Sequence, residues 1–183
     1  MDDSYNIIAI DPGNNIGIAI YTISAIDNSI LSITTRTVVL DMYINNDVVN
    51  IMLYRLNILN NLIAELYNIY QPVAIGLEAS FMNSRFPKAV IQLSQYVAII
   101  ETSFIKHNCF IKLFKYAPKY IKSKIGAGGD GNKYDMLANM NSIAEIITHV
   151  NTSYLTEHEI DALSIGYVML TDIRYRPHLL FTI

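Results

Sequence analysis

The stretch IIAIDPGNNIGIAIY, residues 7–21, constrains the fold more than any other part of the chain. An unbroken apolar run ends in an acid. A Pro-Gly-Asn-Asn turn follows, and a second apolar run leaves it at once. A continuous apolar run of this length reads as a strand covered on both faces. The short turn makes the next strand its antiparallel neighbour. The acid, Asp11, stands at the lip of that buried strand, where Asp is depleted and costly to leave unpaired. Asp11 therefore either caps its own Asp-Pro-Gly turn or is placed to hold something.

The same reading extends along the chain. Strands are expected over residues 6–12, 16–25 and 29–40, an antiparallel meander joined through Asp27-Asn28-Ser29. A helix over 46–70 carries Met52, Leu56, Leu59, Ile63, Leu66 and Tyr70 on one stripe and stops at Pro72. A short buried strand over 73–78, VAIGLE, again finishes in an acid, Glu78. A second long helix over 86–106 has Phe86, Val90, Leu93, Val97, Ile100 and Phe104 on one stripe, and a fifth strand covers 109–114. Pro118 opens a short helix. GAGGDGN, residues 126–132, is a loop. Helices are expected over 133–148 and from about 157, where Thr156 and Glu159 have capping-box spacing. Strands four and five are each reached through a helical crossover, so they lie parallel to the first. The expected fold is α/β: one five-stranded mixed sheet with helices on both faces, in a single domain spanning residues 1–183.

If strands one and four are parallel neighbours, Asp11 and Glu78 end side by side at the edge where open α/β sheets collect ligands. In the closing segment TEHEIDALSIG, His158 and Asp161 are three apart and share a helix face. Carboxylates this close repel unless a proton or cation intervenes, and a hard oxygen-loving cation such as Mg²⁺ removes the conflict. Asp11, Glu78, His158 and Asp161 could together hold one or two such ions, the arrangement used for phosphodiester cleavage. Three have a plainer reading: Asp11 as a turn acid, Glu78 as a partner for a lysine, and His158 as a first-turn residue of a helix.

Charge supports a phosphate-bearing partner. The chain totals −3, but from Lys106 to Lys133 seven lysines meet one acid, Asp130, so this segment is +6 and the rest is −9. A solvated lysine face is the alternative. A membrane span is not expected. The longest uncharged run, 12–26, contains the Pro-Gly-Asn-Asn turn and is shorter than the roughly 20 apolar residues a helix needs. The opening MDDSYN is not that of a signal peptide. One cysteine, Cys109, excludes an internal disulfide or a cysteine zinc cage and suits a reducing, intracellular compartment.

In order along the chain, IIAIDPGNNIGIAIY, Glu78 with ASFM after it, AVIQLSQYVAII, PKYIKSKIGAGGDGNKYDML and HEIDALSIG resemble the motifs of the RuvC-like Holliday junction resolvases. This family lies in the ribonuclease H-like superfamily, and the chain looks most like its poxvirus branch. The resemblance covers nearly all of the chain. Ala9 stands where the family commonly has Gly, and His158 where many members have Asp. The resemblance implies a ribonuclease H-like fold, with the five strands in the order 3-2-1-4-5, and a homodimeric endonuclease acting on four-way DNA junctions, in recombination and in processing concatemeric replication intermediates. The dimer helix would be the one from residue 86. No nucleotide cofactor is implied. If the chain is poxviral, it works in the host-cell cytoplasm. The implied cofactor is Mg²⁺, two per site, with Mn²⁺ as a substitute. Asp11 would bridge the two ions, and Glu78, His158 and Asp161 would complete their shells. Lys133 would approach the scissile phosphate. Lys115, Lys119, Lys122 and Lys124 would bind the DNA backbone, and Phe81 would stack on bases, unless it is a core residue.

Three rivals remain open at this level. A ribonuclease H or RNA-processing nuclease would share the chemistry and differ in substrate. A catalytically silent branched-DNA-binding module would keep the fold alone. The strand–turn–strand is also similar to the phosphate loop of actin-like ATPases, which need two such domains and a longer chain.

Overall fold

In the computed structural model, residues 3–43, 50–79 and 87–181 are described. The sheet consists of β1 (Ser4–Asp11), β2 (Asn15–Ser24), β3 (Ile30–Val39), β4 (Ala74–Glu78) and β5 (Lys112–Tyr116) in the order β3-β2-β1-β4-β5. β1 is antiparallel to β2 and parallel to β4, and β4 is parallel to β5. Two long helices, α1 (Ile51–Tyr70) and α2 (Pro87–His107), cover one face. The last long helix, α6 (Glu157–Tyr175), covers the other. Between β5 and α6 the chain makes three shorter α-helices, α3 (Pro118–Lys124), α4 (Lys133–Ser142) and α5 (Ala144–Ile147), and a 3-10 turn at Thr152–Tyr154. A last short helix, α7 (His178–Phe181), follows α6. Among the described residues, no helix is long and apolar enough to cross a membrane.

Strand periodicity divides the core in two. Ile8 and Ile10 of β1, Ile18 and Ile20 of β2, and Ile75 and Leu77 of β4 pack with Leu59, Ile63, Ile100 and Phe104 from α1 and α2. The alternate residues, Ile7 and Ala9, Ala19 and Tyr21, and Ala74, face Leu163, Ile165, Met169 and Leu170 of α6. Both faces are apolar, as the unbroken runs require. The two-residue period also decides where the acids point. Asp11 continues the series Ile7, Ala9, and Glu78 continues Ala74, Gly76, so both belong to the α6 face.

Two close approaches seat α6 on the sheet. A Cβ added at Gly17 of β2 would overlap the backbone carbonyl of His158, and one added at Gly166 would overlap the ring of Tyr21. Tyr21 is fully buried, and its hydroxyl donates to the Leu163 carbonyl at 2.6 Å. Burial holds this phenol well above its ordinary pKa, so it stays a donor. Tyr21→Phe is expected to cost about 1 kcal/mol of stability while leaving catalysis intact. Denaturant unfolding and a cleavage assay on the same preparation check this.

Three element boundaries differ from expectation. α1 starts at Ile51, because the Asn50 side chain accepts from Leu53 N and caps the helix there; the rest of the expected start, 46–49, lies outside the described residues. The fifth strand is Lys112–Tyr116 and not 109–114. Asn108 instead folds the chain into a turn, accepting from Phe110 N at 2.9 Å and Ile111 N at 3.2 Å. The expected helix over 133–148 is broken at Ile143, whose backbone is extended, giving α4 and α5.

Candidate active site

Asp11 and Glu78 end adjacent parallel strands. The ladder pairs Ile10 with Leu77, so the two acids occupy the next rung, on the same face. α6 crosses above them. Ile165 and Met169 of α6 pack over Gly76, and Asp161 lies one turn before Ile165, toward the acids. His158, one turn earlier again, puts Nδ1 3.1 Å from Asp11 Oδ2. The helix starts here because Thr156 and Glu159 form the expected capping box.

The surroundings of these acids disfavour their charged forms. Burial pushes Glu78 up to about 7, and the Asp11 and Asp161 charges add to this against Lys122. Burial also raises Asp11, to about 6, with the His158 hydrogen bond opposing and Asp161 assisting. Asp161 is raised by burial, with Lys133 and His158 opposing. Among the described residues neither Glu78 nor Asp161 forms an ion pair. Glu78 therefore does not take up a lysine as a salt-bridge partner there. Three partly buried carboxylates, with Asp161 raising Asp11 and both of these raising Glu78, are a donor set suited to a hard divalent cation. As they stand, no three His, Cys, Asp or Glu side chains among the described residues converge closely enough to enclose an ion. Side-chain rotations would have to draw them inward.

The lysines divide into two groups. Lys122 and Lys133 line a cleft of about 190 Å³ together with Glu78 and Asp161. Lys122 Nζ donates to the Gly131 carbonyl at 2.8 Å, and so ties the glycine loop to α3. Lys133 Nζ is in an ion pair with Glu157. The other three have partners away from the acids. Lys115 pairs with Glu101 at 2.5 Å, Lys119 with Asp130 at 2.9 Å, and Lys124 lies over the Tyr120 ring at 5.3 Å. Phe81 lies outside the described residues. Cys109 is exposed.

Three residues with a part in the site escaped the sequence reading. Gly17 admits the first turn of α6. Glu157 neighbours both Lys133 and His158. Asn14 fixes the β1–β2 turn to α2, accepting from Tyr96 Oη at 2.7 Å and Gln92 Nε2 at 2.6 Å. The sequence signal for Asn14 was its place in a turn that needs an anchor; Gly17 and Glu157 become visible only through long-range contacts.

Comparison with protein families matches residues 7–167 to the model described as crossover junction endodeoxyribonuclease RuvC. The chain belongs to the RuvC family. The solved structure of Thermus thermophilus RuvC superposes with a TM-score of 0.68 at 16% identity, over 94% of this chain and 96% of that one. The same T. thermophilus RuvC in complex with Holliday junction substrate gives 0.68 at 15% identity, with the same coverage. The yeast mitochondrial Holliday junction resolvase Ydc2 gives 0.60 at 13% identity, over 96% of this chain and 80% of that one. A search of curated protein sequences finds no significant match. The mixed sheet in the order 3-2-1-4-5 is thus the RuvC, ribonuclease H-like fold. RuvC-family enzymes are divalent-metal-dependent nucleases.

Proposed function

We propose that this chain is a Mg²⁺-dependent Holliday junction resolvase that works as a homodimer and cuts two opposed strands of a four-way DNA junction, leaving 5′-phosphate and 3′-hydroxyl ends. The observation that carries this is the meeting of Asp11, Glu78 and Asp161, from three elements far apart in sequence, beside Lys133 in a RuvC-family chain. Asp11, Glu78, His158 and Asp161 would hold the cation, with Mn²⁺ able to replace Mg²⁺. The chemistry it supplies when bound is activation of water and stabilisation of the leaving oxygen.

The protein's own contribution is positioning and charge. β1 and β4 are rigid posts, buried on both faces, that hold two acids in fixed register. Lys133 can place its ammonium on the scissile phosphate, and Lys122 anchors the glycine loop beside it. Lys115, Lys119 and Lys124 would extend the basic surface along the backbone. Their present partners are exposed or partly exposed, so phosphates could displace them. Two-fold symmetry of a dimer would match the two scissile phosphates of the junction. The resemblance of the basic segment and of HEIDALSIG to the RuvC-like resolvases supports branched DNA as the substrate; in a chain of the poxvirus branch this would be concatemeric replication intermediates.

The test is incubation with a synthetic immobile four-way junction, in Mg²⁺ or in EDTA, beside Asp161→Asn. Paired, symmetric nicks that require both Mg²⁺ and Asp161 are expected. Cleavage of an RNA–DNA hybrid in place of the junction would keep the metal site and overturn the substrate. Tight junction binding without cutting would overturn the catalytic reading.

A further inference from the structure

Glu157 sits at the first turn of α6 with one carboxylate oxygen, Oε2, on Lys133 Nζ and the other, Oε1, 3.7 Å from His158 Nε2. His158 in turn places Nδ1 3.1 Å from Asp11 Oδ2. Lys133, Glu157, His158 and Asp11 therefore form one continuous line from the phosphate-facing cleft to the carboxylates. Both members of the Lys133–Glu157 pair are more than half exposed, at 64% and 51%. An exposed pair is weak and easily exchanged for a stronger anion. A DNA phosphate arriving at Lys133 is such an anion.

Once released, Glu157 has a second partner already beside it. A neutral imidazole carries one N–H, and its position decides which nitrogen can bind a cation. Donation of Nε2–H to Glu157 leaves Nδ1 bare, and Nδ1 is the atom that faces Asp11. A carboxylate behind a metal-binding histidine is the usual way such a ring is oriented. The plain aspartate that many family members have in place of His158 would need no such partner.

We propose that Glu157 is a positioning residue shared between Lys133 and His158. In the free protein it clasps Lys133. When a phosphate takes Lys133, Glu157 turns to His158 Nε2 and presents Nδ1 to the cation, so that DNA binding prepares the metal site. This rests on the resolvase reading above.

Two double-variant cycles test it. In the first, junction binding in EDTA is measured by fluorescence anisotropy. Glu157→Gln should tighten binding about two- to five-fold, the strength of an exposed pair no longer competing. In a Lys133→Met background the same substitution should have no effect. In the second, Mn²⁺ binding to the DNA-free protein is followed by electron paramagnetic resonance. Lys133→Met frees Glu157 without DNA, and adding Glu157→Gln to it should weaken Mn²⁺ binding about ten-fold. With His158→Asp also present, that loss should disappear. Equal effects of Glu157→Gln in all backgrounds would make Glu157 a mere negative charge and overturn the proposal alone. Wild-type protein that binds the junction no better than linear duplex would overturn the resolvase reading, and the proposal with it.

Discussion

Glu78→Gln is expected to lose junction cutting by about 10²–10³-fold or more and, at pH 8 without metal, to melt higher than the wild type. The loss follows from removing a proposed cation-binding oxygen and a charge from the candidate site. The gain follows from the direction of the Glu78 shift. Its pKa in the folded chain, about 7, lies above the ordinary value of 4.5. The folded state therefore binds this proton more tightly than the unfolded state. Its contribution to stability is fully present below pH 4.5 and is lost as pH rises through 7. Asp11, raised to about 6 from 3.8, adds a loss of the same sign at somewhat lower pH. For Glu78 the penalty at pH 8 is on the order of 1–3 kcal/mol, or roughly 2–4 °C for each kcal/mol in a chain of this size. Glutamine carries no such charge. Scanning fluorimetry should thus find the two proteins converging near pH 4 and separating above pH 7. Mg²⁺ or Mn²⁺ should raise the wild-type midpoint at pH 8 and much less at pH 5, because binding must displace protons. A variant no more stable than wild type at pH 8 would show that Glu78 is not held there against its preference.

Gly17→Ala is expected to cost about 3 kcal/mol and most of the cleavage activity, though residue 17 carries no functional group. Its new methyl would meet the His158 carbonyl, a backbone atom that no rotamer change can move. The first turn of α6 must lift from β2, and it carries His158 and Asp161 with it. Gly17 also pairs directly with Asp11 across the ladder. The damage therefore falls on three of the four proposed cation-binding residues. Urea unfolding reads the stability loss. Retention of a full Mn²⁺-induced rise in melting temperature would sink the idea that the helix start has moved.

Much of this architecture was legible because it is written in periodicity. The unbroken runs IIAI and VAIGL demanded cover on both faces, and the crossovers through α1 and α2 required parallel strands. Two strand ends and one helix face then carried acids where apolar residues were expected. Three things were not legible, each for a physical reason. Asn108 drew the start of the apolar run that follows it into a turn because its side chain competes for backbone N–H groups, and periodicity does not register that competition. Ile143 broke the helix after α4 although nothing in its residue type signals a break. Glu157 looked like an ordinary first-turn acid at a helix N-terminus, which it also is. Its pairing with Lys133, 24 residues earlier, depends on how α4 sits against α6.

The order in which the acids occur along the chain bears on how such an enzyme can be made. β1 is the first strand and lies at the middle of the sheet, Glu78 comes near the midpoint, and His158 and Asp161 arrive with α6. On the ribosome, a growing chain has its first acid in place long before its last. Until α6 has emerged and docked over β1 and β2, one face of the sheet is uncovered and the cutting centre lacks a wall. A chain that stops before α6 therefore lacks His158 and Asp161, two of the four proposed cation-binding residues. On the proposed assignment of the site, cutting waits for the finished fold.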